Sequence, residues 1–100
     1  MDDELKQIIR ILKKVFPILL KNPKIMRGCD ASQKEIEEII NTNQLSLEVL
    51  QHVAGDEFFI LYSDEINLTE DEAKEVQEFL FKSAPYFLEE LKEEMPYLKS

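Results

Sequence analysis

The stretch LSLEVLQHVAGDEFFILY, residues 45–62, decides the fold because it supports two incompatible periodicities. Leu45, Leu47, Val49, Gln51 and Val53 alternate with Ser46, Glu48 and His52, the period-2 pattern of a half-buried strand. Gly55-Asp56 follows at the spacing of a two-residue hairpin with Gly at the first central position, and Phe58 to Tyr62 form a β-rich return. In that register Val53 faces Phe58, Gln51 faces Ile60 and Val49 faces Tyr62, while Leu50, Phe59 and Leu61 lie on the opposite side. A two-stranded ribbon cannot hide both sides, so the second side is either covered by a helix or becomes an interface.

The same residues also read as a helix from Leu47 to Ala54, capped by Ser46 and stopped by Gly55. Joined to residues 32–41 it would make a helix-turn-helix, with Phe58 to Leu68 as a wing, and residues 32–68 would then belong to a winged-helix DNA-binding regulator. Such a recognition helix would carry Glu48, Gln51 and His52 but no Lys or Arg, a poor reader of phosphates and guanines. The strand reading is adopted. It predicts an α+β fold of two N-terminal helices, a central β-hairpin with a candidate third strand at Ile66 to Leu68, and one or two C-terminal helices packed on the hairpin.

Outward from the hairpin the helical signals are stronger. From Asp2 to Asn22, Leu5, Ile8, Ile9, Leu12, Val15, Phe16, Leu19 and Leu20 recur at helical spacing, with acids in the first turn. Including Ile11 and Ile18, the apolar arc spans roughly 200°, and Lys6, Arg10, Lys13, Lys14 and Lys21 share the remaining face. An arc that wide implies either a central helix contacted from two sides or one shared with another chain, as in a symmetric homodimer with Ile11 at the outer edge. Pro17 falls on the basic face, where it bends the helix without breaking it, and the helix ends before Pro23.

A connection containing Gly28 leads to a second helix, which starts at Ser32 with Glu35 completing a capping box. Ile36, Ile39 and Ile40 form its stripe, and Asn41 to Asn43 end it. Thr69 with Glu72 repeats the capping box before Ala73, Val76, Phe79 and Leu80, and a final helix runs from Pro85 to Glu94.

With 100 residues, 44% of them hydrophobic, and only two Gly and four Pro, the chain reads as a single compact domain over residues 1–100. No apolar run reaches the roughly 18 residues a membrane span requires, and Asp2, Asp3 and Glu4 stand where a signal peptide would be positive. The lone Cys29, read as a small buried or half-buried thiol, fits a reducing compartment, so the expected location is cytoplasmic. Charge is divided along the chain. Residues 1–29 hold seven Lys or Arg against three acids, and residues 30–100 hold five against eighteen. The net charge of −9 argues against direct nucleic-acid binding, which requires clustered cations.

Catalytic chemistry finds little support. His52 is the single histidine and has no motif around it, so a surface role is expected. Glu89 with Glu93 and Glu90 with Glu94 form i, i+4 carboxylate pairs, but no histidine stands at the related spacing of a metal site, and a solvated face is expected. The acidic run Asp64 to Glu72 lacks the central Gly of a calcium loop. No P-loop, dinucleotide fingerprint, nucleophile elbow or HExxH motif occurs. The expectation is therefore no enzyme, no cofactor and no metal. The first helix's basic stripe is expected to pair with acids of this chain or a second copy, and not with a membrane surface.

Two features point to a partner protein. The wide apolar arc is one, and the other is the clustering of Glu48, Asp56, Glu57, Asp64, Glu65, Glu70, Asp71 and Glu72 around the hairpin and the following helix. A directional negative field suits a basic partner, including one that binds nucleic acid. The expected function is a small acidic regulator or inhibitor, with Glu48, Asp56, Glu57, Phe59, Leu61, Asp64, Glu65, Glu70 and Asp71 as its partner-binding residues.

Overall fold

The computed structural model describes residues 3–28 and 31–99, and its chain is a helical assembly. Helix α1 (Asp3–Lys21) is followed by a 3-10 helix (Pro23–Gly28), α2 (Gln33–Thr42), strand β1 (Leu45–Ser46), α3 (Leu47–Gly55) and the short α4 (Phe58–Leu61). Then come α5 (Glu70–Lys82), a second 3-10 helix (Ala84–Phe87), α6 (Leu88–Glu94) and strand β2 (Leu98–Lys99). The expected hairpin does not form. Of the described residues 76% are helical and 4% strand, so the α+β reading with a central hairpin is replaced by a mostly helical fold. The two strands pair in parallel, Leu45 with Leu98 and Ser46 with Lys99, and tie the end of the chain to the start of α3.

The physical reason lies in what each periodicity can bury. As a helix, residues 47–55 turn Val49, Leu50, Val53 and Ala54 inward together, including Leu50, which a strand would place on the outer side. Ser46 Oγ accepts the Val49 N–H at 3.1 Å and supplies the cap. Gln51, assigned above to face Ile60, instead donates from Nε2 to the Leu80 carbonyl at 3.3 Å and fastens α3 to α5. Chain reversal falls on Asp56 and Glu57, not on Gly55-Asp56. Glu57 takes the left-handed conformation at φ 59°, whereas neither glycine among the described residues has a positive φ.

Phe58 and Phe59 are both fully buried in α4, so Phe59 is core and not an outward residue of a ribbon. Phe58 packs edge-on to Phe59 and stacks on Tyr62, with ring centroids 5.2 and 5.1 Å away. Residues 62–67 are turns and not a wing strand. Ile66 and Leu68, the candidate third strand, are buried without joining a sheet. The helix-turn-helix alternative thus anticipated α3 but not its wing. Close by, a Cβ added at Gly28 would lie 2.9 Å from Tyr62 Oη, so the first 3-10 helix approaches the end of α4 at a position only Gly fits without a shift.

Capping boxes form at α2 and α5 as expected: Ser32 Oγ and Thr69 Oγ1 accept the Glu35 and Glu72 N–H groups, and those carboxylates accept the cap N–H groups in return. Helix α1 runs through Pro17, which lies exposed. Its wide arc is taken up inside the molecule. Ile11, expected at the outer edge for a second copy, is only 1% exposed, and Leu5, Ile8, Ile9, Leu12, Val15, Phe16 and Leu19 are buried with it. Phe16 meets Tyr97 edge-on at 6.0 Å, so the C-terminal segment covers one side of α1 while α5 packs on another. The last helix begins as the 3-10 turn at Ala84–Phe87 and becomes α-helical only at Leu88. Asp2, the expected start of the first helix, and Cys29 lie outside the described residues.

Candidate functional site

The corner where α3 passes into α4, with the turn that follows α4, holds four of the eight acids singled out by charge. Asp56 and Glu57 form the turn, Leu61 follows one helical turn later with its N–H on the Glu57 carbonyl at 2.9 Å, and Asp64 and Glu65 occupy the next turn. All five are exposed, Leu61 to 64%. Phe81, near the end of α5, joins them. Its Cε2 lies 3.8 Å from the position a Cβ on Gly55 would occupy, so the ring covers the residue preceding Asp56 while remaining 62% exposed. Phe81 was not among the expected contacts. Its signal was present in sequence, since it stands 100° around the helix from Leu80 and off the stripe of Ala73, Val76 and Leu80.

Among the described residues Asp56, Glu57, Asp64 and Glu65 make no ion pair, so their charge is directed outward. Glu70 and Asp71 lie in the first turn of α5, where they complement the helix dipole, and Glu70 also pairs with Lys74 at 3.3 Å. Glu72 is turned inward from this group. Its carboxylate is lowered from the ordinary 4.5 by the Thr69 backbone N–H first, against a smaller opposing effect of burial, and then by Lys14 at 3.6 Å. Phe59, being buried, cannot take part.

Glu48 belongs to a second, smaller group with His52 and Glu35. His52 Nδ1 lies 3.2 Å from Glu35 Oε2 and Nε2 lies 3.8 Å from Glu48 Oε1. Burial raises the Glu35 carboxyl, but the Ser32 backbone and hydroxyl donors and the neighbouring His52 together outweigh it and leave it below 4.5. This imidazole between two carboxylates stands in the open, and grooves of about 380 and 340 Å3 elsewhere on the molecule do not include it. The Glu35–His52 contact links α2 to α3. Among the described residues no three His, Cys, Asp or Glu side chains are arranged to hold a metal ion.

The basic stripe of α1 is partly absorbed by the chain's own acids. Lys13 Nζ meets Glu94 Oε2 at 2.7 Å, which takes one of the α6 carboxylates into an ion pair, and Lys14 meets Glu72. Among the described residues no helix is long and apolar enough to cross a membrane. No protein-family model, no curated protein and no solved structure matches this chain.

Proposed function

We propose that this chain is a small non-enzymatic interaction module, a regulator or inhibitor that docks a basic partner protein through the α3–α4 corner. The observation that carries the reading is that exposed Leu61 stands in the chain between Asp56-Glu57 and Asp64-Glu65 while exposed Phe81 lies over Gly55, next to Asp56, and that the chain leaves these four acids without an ion pair among its described residues. Apolar anchors within a one-signed rim supply the two parts of a specific docking surface: desolvated area for affinity and a field for orientation and rate. A positively charged face, such as one that otherwise holds nucleic acid, is the complement of this corner. The cytoplasm is the compartment we assign, on the strength of a single cysteine in 100 residues.

Photo-crosslinking in the native host tests this reading. A benzophenone side chain at Leu61 or Phe81 should yield one discrete adduct with a basic protein, whereas the same group at exposed Ile40 should not. The purified pair should lose about tenfold or more in affinity between low and moderately high salt, and further on Leu61→Ala or Phe81→Ala. Identical adducts at Ile40, or an affinity indifferent to Leu61 and Phe81, would refute it.

A further inference from the structure

A groove of about 380 Å3 opens between the first turns of α1, the second half of α5 and the second 3-10 helix. Its apolar wall comprises Leu5 and Ile8 of α1 with Phe79 and Phe87, whose rings stack with centroids 6.0 Å apart and planes inclined by 24°. Carboxylates of Glu4, Glu75 and Glu78 stand at its edge with a single cation, Lys82. That cation is already engaged by Glu78 at 3.2 Å, and among the described residues Glu4 and Glu75 make no ion pair. The groove therefore combines two aromatic side chains with two carboxylates, one from each of two helices.

We propose that this groove binds a small organic cation, an ammonium group carried on a compact apolar body. The carboxylates of Glu4 and Glu75 meet the charge, and the rings of Phe79 and Phe87 pack against the apolar body and add attraction for a cation within about 6 Å of a ring face. An anion of the same shape is repelled by the glutamates. The volume falls at the small end of the roughly 300–1,000 Å3 of small-molecule sites. A docked protein segment would need on the order of 800 Å2 of surface from this side, more than such a groove presents. The site is separate from the α3–α4 corner, since Phe79 and Phe81 are two residues apart on α5 and lie about 200° apart around it.

Titration of the full isotopically labelled chain with phenethylammonium, followed by NMR, tests the assignment against phenylacetate, phenethyl alcohol and a lysine-containing peptide. The expected result is a saturable shift confined to residues 4–8, 75–82 and 87, with phenylacetate and the alcohol binding about tenfold more weakly or worse. Glu4→Gln and Glu75→Gln, both at exposed positions and so expected to fold normally, should each weaken the ammonium about fivefold, a loss typical of one removed charge contact. Equal affinity for phenylacetate or the alcohol would overturn the proposal. So would linear shifts spread over the acids of residues 56–71, or tighter occupation of the same residues by the peptide.

Discussion

Helices α2 and α5 and the segment 45–62 are built from the same stock of Leu, Ile, Val, Phe and Glu, yet they differ in how openly they declare their structure. Each capped helix opens with a hydroxyl residue three positions before a Glu and buries one stripe, Ile36 and Ile39 in α2 and Ala73, Val76 and Leu80 in α5, while the expected stripe member Ile40 and Phe81 stay on the otherwise polar exposed faces. The capping hydrogen bonds span only three residues, so they form whatever the rest of the fold does. Segment 45–62 has neighbours on several sides: α3 packs against α5, α4 and β1, and α4 packs against α5. A short element buried on more than one side carries apolar residues at positions that satisfy a period of two as well as one of 3.6. The contrast teaches that local hydrogen bonding is legible from sequence, whereas the period of a sandwiched apolar segment is decided by what surrounds it.

The contrast can be broken most forcefully at Leu50, which a hairpin leaves on its outer side and α3 buries completely. Leu50→Ala should cost about 2–5 kcal/mol in urea unfolding, where an exposed ribbon position would change by less than about 0.5. Next in size is Ser46→Ala. Removing the acceptor for the Val49 N–H should cost about 1 kcal/mol, comparable to the loss from Thr69→Ala at an accepted cap. Gly55→Ala has the opposite sign. Gly55 ends α3 without a positive φ, and the nearest atom to a new Cβ is the Phe81 ring at an ordinary 3.8 Å, so the variant should gain up to about 1 kcal/mol. A Gly at the first central position of a type II′ hairpin would make the same change destabilising.

The smallest expected effect concerns acid. Glu35 and Glu72 have folded-state pKa values below the ordinary 4.5, so the stability their ionised forms contribute is complete above pH 4.5 and is lost as pH falls through the lowered values. Thermal midpoints should accordingly fall in this acid range, and Thr69→Ala, which removes the hydroxyl that accepts the Glu72 N–H but keeps the backbone N–H that holds the carboxylate, should reduce the acid-sensitive part of the fall only slightly. An unchanged acid response in that variant would mean that the Thr69 hydroxyl adds nothing to the hold of its backbone N–H on the Glu72 carboxylate.

The corner at α3–α4 was legible in part, for a reason independent of secondary structure. Asp56, Glu57, Asp64 and Glu65 face solvent because unpaired carboxylates are costly to bury, so a wrong hairpin and a right helix both expose them. Apolar neighbours enjoy no such protection. Leu61 was anticipated and is exposed, Phe59 was anticipated and is core, and the difference follows from a helix placing residues two apart about 200° from one another where a strand keeps them on one face. Phe81 reaches the corner only through the packing of α5 on α3, a contact between residues 26 positions apart that no local pattern announces. The arc of α1 shows the reverse. Its width left open a central helix contacted from two sides or one shared with a second copy, and α5 and Tyr97 cover it from within the fold.

Backbone 13C chemical shifts across residues 47–61 test the central claim most directly, since the docking corner exists only if α3 delivers Gly55 beneath Phe81. The account predicts helical secondary shifts from Leu47 through Gly55 and again from Phe58 to Leu61, interrupted at Asp56 and Glu57. A continuous run of extended-chain shifts flanking a Gly55 in the left-handed region would contradict it.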